Sequence, residues 1–189
     1  NQVFEALNYR GVPLEESDLI RNFFFAHLDS QEIAEAQYDQ FWKPMEERLN
    51  NDQALISSFI RHFCMKDGRI IRHGEIFEKI RRRYQQASSD DVRLLLRDIS
   101  RFSEYYRLIL FPEQGDGDSR VRKEVCKSLT RIKRIGNNAP APFLLLLLAA
   151  NDRRRNPAAS LSDDELLEIL SCIESYLIRR MVCQRSDAV

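Results

Sequence analysis

The feature that most restricts how this chain can fold is an uninterrupted apolar run, PFLLLLLAA, from Pro142 to Ala150. A membrane-spanning helix needs about 20 apolar residues, and this run is less than half as long. Leucine is a strong helix former and the run contains no β-branched residue, so it predicts a helix and not a strand. Because the run has no polar side, we expect this helix to be buried on every side.

The rest of the chain predicts a succession of amphipathic helices, because apolar residues recur at helical spacing. Six glycines and six prolines among 189 residues are few, which favours long helices over a turn-rich β fold. The sequence therefore predicts an all-α bundle of roughly eight helices, and only Gln2 to Leu7 could form a short strand. Besides the leucine helix, helices are expected at about Ser17–Leu28, Gln31–Leu49, Asp52–Met65, Gly74–Gln86, Ser88–Leu110, Ser119–Ile135 and Ser162–Cys183.

Several helix ends carry recognisable signals. Ser30 is expected to cap the second helix, and Gly68 suits a left-handed position after the third. Ser162 and Glu165 have the spacing of a capping box at the start of the last helix. Flexible loops are expected at Glu113–Ser119 and Asn151–Ser160, which are rich in Gly, Pro, Asn and Ser.

The residue types that carry chemistry are scattered. The four cysteines form no CxxC pair, which indicates reduced intracellular thiols and a cytoplasmic protein without a disulfide framework or a zinc site. The three histidines are dispersed, and no phosphate-binding loop or zinc-protease motif is present. We therefore predict that this chain holds no catalytic site, metal or cofactor of its own, and that it does not enter a membrane.

Basic residues cluster in three places although the chain has no net charge. The clusters predict contact with DNA or RNA phosphates, or merely solvated helix faces balanced by nearby acids. Nothing in them predicts base-specific recognition. Their members are Arg69, Arg72, His73, Lys79 and Arg81 to Arg83, then Arg120, Arg122, Lys123, Lys127, Arg131, Lys133 and Arg134, and finally Arg153 to Arg155.

The opening segment FEALNYRGVPLEESDLIRN, Phe4 to Asn22, resembles a motif of the GmrSD-type modification-dependent restriction enzymes. Glu15 departs from that motif, which usually has a Ser or Thr helix cap there. The helix IESYLIRR, Ile173 to Arg180, is similar to one that precedes the HNH nuclease domain in the same family. The opening motif is matched at Phe4, Leu7, Asn8, Arg10, Gly11, Leu14, Asp18, Leu19, Arg21 and Asn22.

The resemblance implies that the chain is a piece of a longer antiphage-defence protein. Residues 1–28 would be the tail of a ParB/sulfiredoxin-like nucleotide-hydrolysing domain, and residues 29–185 a helical region that couples this domain to the nuclease. The whole protein would use a nucleoside triphosphate and a divalent metal, but the family's Asp-Gly-Gln-Gln-Arg and HNH motifs are absent from this segment. We therefore expect the segment alone to be inactive, with the flanking domains and DNA as its partners.

The resemblance also implies roles for particular residues. Asn8 and Arg10 would face the nucleotide pocket, with Arg10 contacting phosphate. The alternative, which the residues themselves favour, is a purely structural strand-turn-helix corner. The candidate DNA contacts are Arg81, Arg82 and Arg83, together with Arg179 and Arg180. The alternative hypothesis is a self-standing helical protein-interaction module with no role in nucleic-acid binding.

Overall fold

The structure, a computed structural model, describes residues 15–72, 74–114, 120–136, 138–152 and 161–183. These residues confirm the predicted all-α fold, since they form helices and no strand. The predicted strand at Gln2 to Leu7 lies outside them. The chain divides into two compact units, Asn1–Ser103 and Glu104–Val189. The predicted domain boundary near residue 28 stays a prediction.

The helices of the first unit follow the predicted order closely. The last of these helices begins at Ser89 and ends at Leu110, beyond the end of the first unit at Ser103. In chain order they are α1 (Glu16–Ala26), α2 (Gln31–Gln37), α3 (Lys43–Arg48), α4 (Gln53–Met65), α5 (Ile76–Tyr84) and α6 (Ser89–Leu110).

Where the sequence predicts one helix from Gln31 to Leu49, the structure contains an interruption. Residues Tyr38–Trp42 form a π-helical turn between α2 and α3. The wider turn coincides with a buried polar cluster around Glu46, whose carboxylate accepts hydrogen bonds from Trp42 and Tyr38. A π-helical turn inside a helix is rare and is not recognisable from hydrophobic periodicity.

The core of the first unit is made of aromatic and branched aliphatic side chains. The ring of Phe24 meets the rings of Trp42 and Tyr84 edge-on, with centroids 6.4 and 6.0 Å apart. Phe63 meets Phe102 in the same way at 5.3 Å. The most deeply buried side chains include Ile20, Phe24, Trp42, Met45, Leu49, Ile56, Phe59, Ile60, Ile76, Leu96 and Ile99.

The predicted helix ends are confirmed where they depend on local chemistry. The Ser30 hydroxyl accepts a hydrogen bond from the Ile33 amide at 3.2 Å. Ser162 and Glu165 form the full capping box. Gly68 has a φ of 83°, the left-handed conformation that favours glycine. Glu15 precedes α1 but makes no capping hydrogen bond with its side chain.

The described residues of the second unit form the end of α6, a short 3-10 turn at Pro112–Gln114, and three further helices. These are α7 (Arg120–Arg134), α8 (Ala141–Asn151) and α9 (Asp163–Val182). Helix α7 packs against α9, with Val125, Leu129 and Ile132 buried. These helices therefore have one apolar face each, as the sequence pattern predicts.

The prediction that the leucine helix is buried on every side is wrong. In α8, Phe143 is 50% exposed and Leu146 is 39% exposed, whereas Leu144, Leu145 and Leu148 are buried. Residues three apart lie on the same side of a helix, so Phe143 and Leu146 form one uncovered stripe. None of the helices in the described ranges is long and apolar enough to cross a membrane.

Candidate nucleic-acid interface

The three consecutive arginines lie in the last turn of α5, on the outside of the helix. Ile76 and Ile80 are buried and fix which side of α5 faces the core. The side chains of Arg81, Arg82 and Arg83 are 55%, 72% and 43% exposed. The sequence-predicted contacts on α5 are therefore accessible to a ligand.

Each of these arginines also has a carboxylate partner. Arg81 Nη2 lies 3.0 Å and Arg82 Nε 3.1 Å from the Glu78 carboxylate. These hydrogen bonds, from Arg81 first and also from Arg82, hold the pKa of Glu78 below its ordinary value. Arg81 and Arg82 thus share a single negative charge, which leaves an excess of positive charge at this end of α5.

Arg83 is held in a different pair, across the loop that joins α4 to α5. Its Nη1 lies 3.1 Å from Asp67 Oδ2, and Lys66 Nζ lies 3.1 Å from Asp67 Oδ1. Partial burial tends to raise the pKa of Asp67, but hydrogen bonds from Lys66 and Arg83 outweigh it and lower the pKa. The carboxylate is therefore ionised at neutral pH and positions Arg83.

Helix α5 is held in place by a residue that lies 60 positions earlier in the chain. Glu16 Oε1, in the first turn of α1, accepts hydrogen bonds from the backbone amides of Ile76 and Phe77 at 3.0 and 3.2 Å. The first amides of a helix lack partners within the helix, and a carboxylate satisfies both their hydrogen bonding and the helix dipole. The sequence gives no local signal for this cap, because Glu16 belongs to a different helix.

Glu16 belongs to the opening segment, Phe4 to Asn22. Asp18 and Arg21 of the same segment also have structural roles. Arg21 Nη2 pairs with Asp18 Oδ1 at 2.8 Å, three residues earlier on the same side of α1, and Arg21 Nη1 lies 3.1 Å from Glu46 Oε1. Asp18 and Arg21 therefore tie α1 to the buried cluster at the π-helical turn. Asn8 and Arg10, the candidate nucleotide contacts, lie outside the described residues and stay predictions.

The other predicted DNA contacts, Arg179 and Arg180, lie in the last turn of α9. Arg179 is exposed and Arg180 is partly exposed. Glu174 belongs to the same IESYLIRR segment. It forms an ion pair with Arg131 of α7 and therefore holds α9 and α7 together. The structure places Arg179 and Arg180 within the last turn of α9, more than one turn after Glu174.

Among the helices that the structure describes, α7 contains the most Lys and Arg residues. The sequence predicts it as a basic cluster but does not include it among the candidate DNA contacts. It carries seven Lys or Arg against a single acid, Glu124. Lys123, Lys127 and Arg134 are exposed, and the opposite side is the buried apolar face. The sequence predicts this cluster as either a phosphate contact or a solvated helix face, and the structure shows which of its members are exposed.

No protein-family model, curated protein or solved structure matches the chain. Within the described residues, no group of three or more His, Cys, Asp or Glu side chains could hold a metal ion. His73 and the Arg153 to Arg155 cluster lie outside the part of the chain that the structure describes.

Proposed function

We propose that this chain is the non-catalytic helical region of a nucleotide-dependent, modification-dependent DNA restriction endonuclease of the GmrSD type. In this proposal it couples a nucleotide-hydrolysing domain to an HNH nuclease domain and contacts DNA phosphates through Arg81, Arg82 and Arg83. The whole protein would use a nucleoside triphosphate and a divalent metal in antiphage defence, in the cytoplasm.

The observation that carries the DNA contact is the exposure of three consecutive arginines that share two carboxylates. Ion pairs between exposed side chains contribute only about 0–1 kcal/mol, so a DNA phosphate can replace Glu78 or Asp67 at small cost. Arginine also forms bidentate hydrogen bonds with phosphate. Of the two arginines in α9, Arg180 is the weaker candidate because it is only partly exposed.

The family assignment is supported by the two resembling segments and by the all-α fold between them. It is tested by the reading frame that contains this segment. We expect an Asp-Gly-Gln-Gln-Arg motif encoded on the N-terminal side and an HNH motif on the C-terminal side. A frame that encodes neither motif would contradict the assignment.

The DNA contact is tested by changing Arg81, Arg82 and Arg83 together to Gln. A matched control changes Lys43, Arg93 and Arg97, which are also exposed, to Gln and removes the same amount of charge. We expect the α5 variant to bind duplex DNA at least about tenfold more weakly than the control at low salt. Equal affinity of the two variants would contradict the proposed contact.

A second candidate function, a helical protein-interaction module without nucleic-acid binding, is favoured by one observation. Ile178, Met181 and Val182, which share one side of α9 near its end, are 42%, 58% and 71% exposed. Large exposed apolar side chains that lie close together are typical of protein-interaction surfaces. Failure of the unaltered chain to bind any DNA at low salt would favour this function.

A further inference from the structure

We propose that the outer face of α7 is a second site for the phosphate backbone of duplex DNA. This inference rests on the proposal that the chain binds DNA, and it places a contact in the second unit that is independent of Arg81, Arg82 and Arg83. The face is defined by Lys123, Lys127 and Arg134, and we call it the α7 basic face. None of these residues belongs to either segment that resembles the restriction enzymes.

The orientation of α7 is fixed by its apolar side. Val125, Leu129 and Ile132 are 3%, 1% and 3% exposed, so they anchor that side of the helix in the core of the second unit. With about 3.6 residues per turn, Lys123, Lys127 and Arg134 fall within about 40° of one another on the opposite side. The three cations therefore form one stripe that points away from the core.

The carboxylates around α7 neutralise only part of its charge. Lys127 Nζ pairs with Glu124 Oε1 at 2.8 Å, but their side chains are 64% and 44% exposed, so the pair is weak. Lys133 pairs with Glu113 at 3.1 Å. The pKa of Glu113 is lowered first by a hydrogen bond with its own backbone, then by Lys133 and by the charge of Arg134. Among the described residues, neither Lys123 nor Arg134 forms an ion pair with a carboxylate within 4.0 Å.

Arg131 lies beside this stripe but is held differently. Its Nε donates to both oxygens of Glu174 at 2.7 and 2.8 Å, and its Nη2 donates to the Ser128 hydroxyl at 3.1 Å. These bonds engage the guanidinium with protein partners, so we leave Arg131 out of the proposed site. Its role is to hold α7 against α9.

The stripe matches the length scale of a DNA strand. Lys123 and Arg134 are eleven residues apart, which corresponds to about 16 Å along the helix axis. One strand of a duplex presents a phosphate about every 3.4 Å along its axis, so roughly five phosphates pass over this distance. A row of cations on long, flexible side chains suits such a backbone, because contacts with phosphates carry no sequence information.

The occupant we propose is duplex DNA because the face is cationic and has no aromatic side chain on it. Single-stranded nucleic acid is typically bound by aromatic side chains on which bases stack, together with basic residues. Lys123, Lys127 and Arg134 offer charge alone, which fits a paired duplex whose bases are stacked inside. Tighter binding of single-stranded RNA than of a duplex of equal length would contradict this choice.

The test changes Lys123, Lys127 and Arg134 together to Gln in the full 189-residue chain. Duplex DNA binding is measured by fluorescence anisotropy at several salt concentrations, for this variant, the Arg81/Arg82/Arg83→Gln variant and the Lys43/Arg93/Arg97→Gln control. Helical circular dichroism and thermal unfolding check that each variant is folded. Loss of three phosphate contacts makes the slope of log K against log salt shallower by about 2.7.

The outcomes separate this inference from the proposed function. A shallower slope and weaker binding for the α7 variant, compared with the control, support the α7 basic face whatever the α5 variant does. Weaker binding for the α5 variant alone supports the proposed function and overturns this inference. Weaker binding for the α7 variant alone overturns the contact at Arg81 to Arg83. No binding by the unaltered chain at low salt overturns both.

Discussion

Arg131 joins α7 to Glu174 of α9 through a bifurcated hydrogen bond, in which the single N–H at Nε donates to both carboxylate oxygens, at 2.7 and 2.8 Å. The Glu174 side chain is only 18% exposed, whereas that of Arg131 is 48% exposed. The pair thus lies at the edge of the helix interface, with its carboxylate on the inner side. It gives the glutamate of the IESYLIRR segment a structural role.

We expect Glu174→Gln to lower the free energy of unfolding by about 0.5–1 kcal/mol, because Arg131 is partly exposed and solvent screens the pair. Urea unfolding of Glu174→Gln, Arg131→Gln and the double variant measures the coupling between the two residues. Glu168→Gln, an exposed glutamate on the same helix, is the control. Additive effects of the two changes would show that the pair does not contribute to stability.

A stronger effect is expected at Glu46, the centre of the polar cluster at the π-helical turn. Its carboxylate accepts hydrogen bonds from Trp42 Nε1 at 2.8 Å, from Arg21 at 3.1 Å and from the Tyr38 hydroxyl at 3.1 Å. Burial, and next the charge of Glu46, raises the pKa of Tyr38. Loss of the carboxylate charge removes one of the two carboxylate partners of Arg21 and leaves Asp18, in a site that is largely shielded from water.

Glu46→Gln is therefore expected to lower the free energy of unfolding by about 2 kcal/mol. Trp42 is the only tryptophan of the chain, so its fluorescence reports directly on this cluster during urea unfolding. The neighbouring exposed residue Glu47 supplies the control, Glu47→Gln, for which we expect a change within about 0.5 kcal/mol. Equal stability of the two variants would mean that the cluster does not stabilise the fold.

The cap that Glu16 provides for α5 gives a prediction about a contact between distant parts of the sequence. Glu16→Ala removes the acceptor of the Ile76 and Phe77 amides, and a lost helix cap costs about 1 kcal/mol. Glu15→Ala is the matched control, because Glu15 makes no capping hydrogen bond. Hydrogen exchange of the Ile76 and Phe77 amides should accelerate in Glu16→Ala alone, and unaltered exchange would contradict the cap.

The positions of Glu15 and Glu16 illustrate how much of the fold the sequence predicts. Helices, and caps such as Ser30 and Ser162, follow from residues within one turn of each other, and the structure confirms them. The cap at α5 depends on a residue 60 positions away, which no local pattern reveals.

The same limit applies to the other differences. The π-helical turn at Tyr38–Trp42 and the exposed stripe of Phe143 and Leu146 depend on which neighbours the folded chain provides. For the candidate site, the sequence predicted that Arg81 to Arg83 are at a helix surface. Only the structure shows that Arg81 and Arg82 pair with Glu78, whereas Arg83 pairs with Asp67.

Cys64 yields a prediction about pH and reactivity. Burial raises the pKa of its thiol to about 11, although Arg83 and Lys66 nearby act in the opposite direction. Since only the thiolate reacts rapidly, we expect Cys64 to be alkylated much more slowly at pH 8 than the exposed Cys172 and Cys183. Peptide mass spectrometry after a timed iodoacetamide pulse measures this, and equal labelling of the three would contradict it.

The raised pKa of Cys64 also has a consequence for stability. The folded state favours the protonated thiol, so this contribution is fully present below the pKa of the unfolded state. It declines as the pH rises from the ordinary thiol range towards about 11. We expect the free energy of unfolding of the unaltered chain, measured by urea unfolding, to fall between about pH 8.5 and 11, and Cys64→Ser to weaken this fall.

The central claim, that this helical chain contacts DNA through its phosphates, is tested most directly by the salt dependence of duplex binding by the unaltered chain. If Arg81, Arg82, Arg83, Lys123, Lys127 and Arg134 all contact phosphates, log K should fall with log salt at a slope of about −5. Undetectable binding at about 50 mM salt, or a slope shallower than about −1, would contradict the claim.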